Sequence, residues 1–311
     1  MMSTQPRYLQ LDHEGWKSKI AAAMALLSPC RLCPRECGAE RLKGQRGICR
    51  AGAVAEVSSA NAHHGEEPPI SGERGSGTIF LTHCPLRCVF CQNFPISHLG
   101  NGRPAPAPEL AAMMVRLQAR GCHNINFVTP THMMPFIVEA LPLAVQDGFR
   151  LPLVWNCSGY ESLDALRVLD GIVDIYLPDL KYDRDECAKK ITNAPEFVRH
   201  NRAAVKEMYR QVGDLQLDED GIATRGLIIR HLVLPNGLSG SPAALRWIRD
   251  NISPNTAISL MSQYFPAHKA FEVPEVRRRI NASEYYEAVE AMEELGLEEG
   301  WIQDEPLEGD E

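Results

Sequence analysis

The run Cys84-Pro85-Leu86-Arg87-Cys88-Val89-Phe90-Cys91 puts three thiols at CxxxCxxC spacing. An iron–sulfur cubane ordinarily takes four cysteine ligands. Three leave one iron with an open coordination position, and an open position is how a metal site binds a reactant instead of bracing a fold. The competing readings are a zinc site and three unrelated buried thiols. Zinc closes its shell with paired CxxC knuckles, often helped by histidine, and the imidazoles near this run are His83 and His98. Upstream, Gly77-Thr78-Ile79-Phe80-Leu81-Thr82 has the composition of a buried strand. The cysteine loop therefore leaves the carboxyl end of a strand, where α/β barrels keep their catalytic groups.

A second set precedes it. Cys30, Cys33 and Cys37, with Cys49 after eleven intervening residues, supply a complete tetrahedral set of thiols. Two metals fit: zinc as a staple for a module too small to have its own core, or a second iron–sulfur cluster that passes electrons to the first. Gly38, Gly44 and Gly47 let the backbone wrap tightly enough to aim amides at sulfur, which either metal uses. The scattered Cys122, Cys157 and Cys187 read as small buried residues.

A chain of 311 residues has room for one barrel-sized α/β unit and a small appendage. It contains no run of about 18 apolar residues and no secretory core at its start, so neither membrane spanning nor export is expected. Clustered cysteines imply metal ligation in a reducing compartment, and the expected location is cytoplasmic. A net charge of −8 argues against nucleic acid as the partner. Arg277-Arg278-Arg279 reads as a solvated face or a contact for an acidic partner, not a nucleic-acid site.

Strand-like runs at 78–81, 124–128, 153–156, 173–177, 227–234 and 257–261 alternate with helical runs at 108–120, 133–146, 162–169, 194–212 and 242–250. This alternation predicts a parallel α/β sheet, closed or partly closed. A helix is expected over 16–27, ended by Ser28-Pro29, and an acidic amphipathic helix over 283–295. The stretch 99–108 reads as a loop, long enough to cover the site but more simply surface slack, and 304–311 as a disordered tail. Three segments follow: an N-terminal helix with the cysteine-rich metal module over 1–75, the barrel over 76–266, and a C-terminal helix with an acidic tail over 267–311.

Polar residues stand where the strands should end. Thr129 and Thr131 follow the second, with His132 as a candidate substrate contact; Asn156 and Ser158 follow the third, suited to a ribose or methionyl group. Asp179-Leu180-Lys181 follows the fourth, and Arg230 and Gln263 mark the fifth and sixth. Capping, turn formation and ordinary ion pairing are the competing explanations for these residues.

The CxxxCxxC run, with Phe90 before its last cysteine and Gln92-Asn93 after it, resembles the radical S-adenosylmethionine (SAM) superfamily. Adding Cys30-x2-Cys33-Pro34-Arg35, Asn156-x-Ser158-Gly159-Tyr160, Asp179-Leu180-Lys181, Arg230-His231-Leu232-Val233-Leu234-Pro235 and Met261-Ser262-Gln263-Tyr264-Phe265-Pro266, nearly the whole chain resembles the PflX-type proteins, named for their likeness to pyruvate formate-lyase activating enzyme. That resemblance implies a partial (β/α)6 radical SAM barrel, an oxidoreductase with a [4Fe–4S] cluster on Cys84, Cys88 and Cys91, and SAM chelated to the open iron. Asp179 and Lys181 help hold SAM in such enzymes, Lys181 as a point charge for its carboxylate. The implied reaction is reductive cleavage of SAM to a 5′-deoxyadenosyl radical, with a flavodoxin or ferredoxin as electron donor. Activation of a protein glycine is the first expectation for the substrate, and another peptide or a small molecule the second. Two departures stand out: Phe127-Val128-Thr129-Pro130 replaces the Gly-Gly-Glu segment that usually holds the SAM amino group, and the extra cysteines precede the barrel. A zinc-bearing scaffold or redox sensor without turnover is the rival from another class.

Overall fold

The computed structural model describes residues 5–303, so the tail over 304–311 lies outside the described residues. Helix α1 (His13–Ala25) begins where the Asp12 carboxylate accepts from the Gly15 amide at 2.8 Å, three residues earlier than the alanine-rich composition suggested. The cysteine-bearing segment that follows has a 3-10 turn at Arg41–Lys43 as its main regular element. Then come β1 (Glu56–His63), α2 (Pro68–Ser71), β2 (Ser76–Leu81), α3 (Phe94–Ser97), β3 (Arg103–Pro104), α4 (Ala107–Ala119), β4 (Ile125–Val128), α5 (Met134–Gln146) and β5 (Leu153–Cys157). They are followed by α6 (Leu163–Leu169), β6 (Ile175–Pro178), α7 (Asp185–Thr192), α8 (Phe197–Val212), β7 (Gln216–Leu217), β8 (Ala223–Leu232), α9 (Ser241–Asn251), β9 (Ala257–Met261), α10 (Ala282–Glu294) and β10 (Gly300–Ile302).

Strands β2, β4, β5, β6, β8 and β9 lie side by side in sequence order, all parallel. These are the six strands expected from the sequence. Antiparallel β1 and then β3 extend one edge, and parallel β10 extends the other. The sheet thus reaches into both flanking segments, and its two ends are not paired with each other. Right-handed crossovers that always step the same way put the helices on one face. Phe127, Trp155, Tyr176, Ile229 and Leu260 pack into the main core with the helices, whereas the alternate residues Val154, Ile175, Leu177, Ile228 and Ala257 form a separate cluster with Ile70 of α2. That second face is the interior of the half-closed sheet.

Three expectations need correction. The helix expected over 194–212 begins at Phe197, and α7, which the sequence reading did not foresee, precedes it, the two separated by Asn193 and Glu196 in left-handed backbone angles. The strand expected over 227–234 runs over Ala223–Leu232, lengthened at its start by pairing with β7. The stretch 99–108 does not cover the site: β3 pairs with β1, and the Ala105 amide donates to the Ala55 carbonyl at 2.8 Å, which ties it to the sheet edge.

Candidate active site

The loop after β2 and the carboxyl ends of β4, β5, β6, β8 and β9 enclose a cavity of about 250 Å3. Cys84, Cys88 and Cys91 line it together with Thr129, Asn156, Ser158, Asp179, Lys181, Arg230 and Gln263. These residues, each singled out by sequence, therefore meet in one place. The sheet's two-residue period explains how. Asn156, Asp179 and Arg230 each stand two positions beyond an interior apolar residue, Val154, Leu177 and Ile228, and so form a polar layer directly above the apolar one. Cys157, expected to be only a small buried residue, also lines the cavity.

The polar layer is a chain of charges. Lys181 Nζ donates to Asp179 Oδ2 at 2.6 Å, and Arg230 Nε donates to Asp179 Oδ1 at 3.1 Å. Arg230 Nη2 donates to Asn156 Oδ1 at 2.7 Å, and Arg230 Nη1 stands 3.5 Å from Glu66 Oε2. Burial would raise the Asp179 carboxyl, but Lys181 and Arg230 together hold it below the usual carboxylate range. Burial likewise pulls against Lys181, yet Asp179 and the Cys88 thiol raise its affinity for the proton. Behind the layer, Asn201 Nδ2 donates to the Asp179 carbonyl at 2.9 Å and the Gly159 carbonyl at 3.2 Å. Any Cβ on Gly159, whose φ is +70°, would overlap both Asn201 and the Asp179 carbonyl. Glycine is required there.

Burial pushes the Cys84 thiol up to about 11 and the Cys88 thiol higher still; amides of Arg87 and Leu86 oppose this at Cys84, and Lys181 opposes it at both. Metal ligation must remove those protons, and the adjacent cation and amides favour the thiolates. Non-glycine residues with left-handed backbone flank the cysteines of both sets: His83 before Cys84, Arg87 before Cys88, Glu36 before Cys37 and Arg50 after Cys49. Alternating right- and left-handed residues turn successive amides toward one point, the concavity used by many iron–sulfur sites. Inside the cavity the Ser158 hydroxyl is buried without a hydrogen-bond partner among the described residues, as expected of a group that meets a ligand. The residues fit an anionic cluster and a polar ligand beside it. Among the described residues, no three Cys, His, Asp or Glu side chains converge as ligands of one metal ion would. Cysteines on a cubane bind different irons and so stand farther apart.

Neither neighbouring imidazole turns to the thiols as a zinc ligand. His83 Nε2 lies 3.3 Å from Glu56 Oε2, and His98 Nδ1 lies 2.8 Å from the Ser97 hydroxyl, which is itself 3.1 Å from Cys91 Sγ. His132 does not reach the cavity either. It is buried, with Nε2 2.8 Å from the Thr82 carbonyl, and burial pushes its pKa down to about 3. Thr131 likewise turns away, donating to Glu161.

None of the N-terminal thiols lines this cavity. Burial raises Cys30, Cys33 and Cys49, and these thiols act on one another and on or through Cys37. Amides of Leu32, Arg35 and Ala51, each two residues beyond a cysteine, favour the thiolate at Cys30, Cys33 and Cys49 respectively. Gly47 lets Cys37 Sγ lie against the backbone where a Cβ would overlap it. Arg35 joins this module to the barrel loop by donating from Nε to the Pro85 carbonyl at 2.6 Å.

Two buried acids escaped the sequence reading. Glu66 enters the interior because α2 crosses beneath it, and its only sequence mark is Glu66-Glu67 before Pro68-Pro69. Glu66 also lines a larger cavity of about 910 Å3 with His64, Arg74, His123, Asp220 and Trp301 at the opposite end of the strands. Glu161 is pushed up to about 7 by burial, against the hydrogen bond that Thr131 donates to it. No local pattern marks it.

The chain is 30% identical over 292 residues to the uncharacterized protein MJ0674 of Methanocaldococcus jannaschii, a match that covers 90% of this chain and 79% of that protein. It belongs to the same family as MJ0674. A second protein of that organism, the uncharacterized MJ0808, is 22% identical over 291 residues, covering 87% of this chain and 78% of its own length. No family model matches the chain. Among solved structures, the radical S-adenosylmethionine methyltransferase TsrM from Kitasatospora setae, with cobalamin and a [4Fe–4S] cluster bound, superposes with a TM-score of 0.45 and 15% identity over 60% of this chain and 36% of that one. Methylornithine synthase (PylB) does so with a TM-score of 0.45 and 13% identity over 70% of this chain and 61% of that one. The chain spans less than two thirds of either structure. Among the described residues no helix is long and apolar enough to cross a membrane.

Proposed function

We propose that this chain is a radical SAM enzyme. The observation that carries the reading is the single cavity in which three cysteines from one loop meet Asp179, Lys181, Arg230 and the other rim residues. Cys84, Cys88 and Cys91 would hold a [4Fe–4S] cluster with one iron open to SAM. When bound, the pair would supply one electron to the SAM sulfonium and a 5′-deoxyadenosyl radical for hydrogen abstraction.

The chain's own residues have separate tasks. Lys181 lies beside Cys84 and Cys88, where it favours the thiolates and can pair with the SAM carboxylate. Asp179 keeps Lys181 from folding away, and Arg230 keeps Asp179 ionised. Ser158, Asn156 and Thr129 offer hydrogen bonds to ribose or methionyl groups, with Gln263 on the opposite wall. Phe90, Val128, Leu232 and Met261 supply apolar wall that excludes water from a reactive intermediate. A protein glycine is the first hydrogen donor to try, another peptide or a small molecule the second, and a flavodoxin or ferredoxin is the electron donor. Cys30, Cys33, Cys37 and Cys49 are read as a second metal site, zinc or iron–sulfur.

Anaerobic reconstitution should yield a reduced protein whose cluster spectrum changes on adding SAM, and dithionite should drive formation of 5′-deoxyadenosine. Triple replacement of Cys84, Cys88 and Cys91 by Ala should abolish both. A SAM-responsive signal that survived it would sink the assignment, and an absence of 5′-deoxyadenosine from the intact protein would favour the scaffold reading. Metal analysis of the triple variant identifies the metal at the N-terminal set.

A further inference from the structure

We infer that the cleft between the N-terminal cysteine module and the Cys84-to-Cys91 loop is the docking surface for an acidic electron-transfer protein, one carrying a flavin or an iron–sulfur centre. This rests on the radical SAM reading and adds to it the place where the electron arrives. The cleft, about 290 Å3, is lined by Arg35, Arg50, Arg87 and Lys190 with Ile48 and Val89 among its apolar residues, and no Asp or Glu lines it. Four cations without a carboxylate are unusual on a chain of net charge −8.

Their existing partners leave charge over. Arg35 donates to the carbonyls of Pro85, Thr192 and Asn193, which do not neutralise it. Lys190 is offset by its ion pair with Glu275, so the unneutralised charge is that of the three arginines. Arg50 and Arg87 have no carboxylate partner among the described residues, and Arg87 Nη1 is buried without a hydrogen bond. Beside them Ile48 is 48% exposed. A small apolar centre within a ring of one charge suits a transient protein partner of the opposite charge, since long-range attraction speeds encounter while limited area permits release.

Position supplies the second argument. Arg50 directly follows Cys49 and Arg87 directly precedes Cys88, and both line the cleft, so it borders both cysteine sets at once. A redox centre seated there meets residues that adjoin both sets. The exchange is one electron out of the partner's reduced centre and one into the enzyme's metal centre, with no bond made or broken.

Lys190 is exposed and lies outside the catalytic cavity and both cysteine sets, so Lys190→Glu shifts the cleft's charge by two units without touching the proposed SAM pocket. Ile48→Ser removes the apolar centre by an independent change. The probe is purified flavodoxin, tested against reconstituted holoenzyme by calorimetric titration at low and high salt and by flavodoxin-driven 5′-deoxyadenosine formation. Wild type should bind flavodoxin more weakly as salt rises. Both variants should bind at least tenfold more weakly and lose kcat/KM for flavodoxin in proportion, while dithionite-driven turnover stays within about twofold of wild type. Unchanged flavodoxin binding in both variants, or an equal loss under both reductants, overturns the docking site. Failure of the radical SAM reading is recognised separately, as wild type that binds flavodoxin yet forms no 5′-deoxyadenosine with either reductant.

Discussion

Lys181 illustrates what a residue's sequence position reveals and what it hides. A lysine just past an apolar strand should be buried only if it meets an anion, and the anion is Asp179, two residues earlier, at 2.6 Å. Lys181 is therefore paired before any ligand arrives. Lys181→Ala leaves Asp179 with Arg230 alone, and breaking a buried pair by removing one partner typically costs about 3–5 kcal/mol. With Arg230 remaining, the loss should fall near the lower end, visible as a lower unfolding midpoint in urea. SAM affinity should fall at least tenfold, about 1.4 kcal/mol per factor of ten. An unchanged midpoint would mean Arg230 satisfies Asp179 unaided; unchanged affinity would remove Lys181 from the binding set. The rim residues were legible because each follows an apolar run whose end is visible in the chain. Glu66 and Glu161 were not, because only the crossing of α2 brings the first inward, and only burial among Thr131, Trp155 and Cys157 gives the second its character.

At the scale of elements, the cysteine module is held to the barrel by side chains more than by regular structure. Arg41 is 1% exposed and donates to the Gly52 carbonyl from Nε at 2.9 Å and to the His132 carbonyl from Nη1 at 2.6 Å. Its guanidinium also lies 5.7 Å from the centre of the Phe136 ring on α5. Arg41→Met retains much of the volume but leaves those carbonyls without their charged donor, a loss of about 2–3 kcal/mol. Proteolysis within the cysteine module should accelerate in that variant while the circular dichroism of the sheet and helices persists below the global transition. A protease pattern identical to wild type would show that other contacts hold the module. The parallel strands were readable because a fully buried strand is a short continuous apolar run bounded by turns. Strands β1 and β10 were not, since their residues are mostly half-buried or exposed and their pairing depends on which edge the completed sheet offers. Helix α7 escaped, and the start of α8 was set three residues early, because the turn between them relies on Asn193 and Glu196 taking left-handed angles, which composition does not announce.

For the whole molecule, buried acids make stability depend on pH in two directions. Burial pushes Glu161 up to about 7 and Asp174 up to about 6, the latter despite amides of Arg7 and Leu153 donating to it. Both pKa values lie above the unfolded values of about 4.3 and 3.9. Their contribution is therefore fully present below about pH 4 and is lost as pH rises through 6 to 7. Asp179 is depressed instead, so its contribution is present above about pH 4 and lost as pH falls through its folded value. Unfolding free energy from urea titrations should consequently decline by about a few kcal/mol between pH 5 and pH 8, because each tenfold difference in proton affinity between folded and unfolded chain is worth about 1.4 kcal/mol. Glu161→Gln should flatten part of that decline. A level wild-type profile across this range would show that neither acid is held protonated.

The sequential order of the parallel strands also bears on how the chain assembles as it is made. A ribosome releases Glu66 and Asp179 well before Arg230, the cation that joins them, and at roughly 5–20 residues per second the interval lasts seconds. Until β8 docks, the Glu66 carboxylate has no charged partner in that layer, and dehydrating it is unfavourable. The growing half-sheet must therefore keep its interior wet through four parallel strands, β2, β4, β5 and β6, and expel that water only when the fifth arrives. Drying of the polar layer is thus an electrostatic step, timed by the synthesis of a single arginine, before β9 completes the cavity wall.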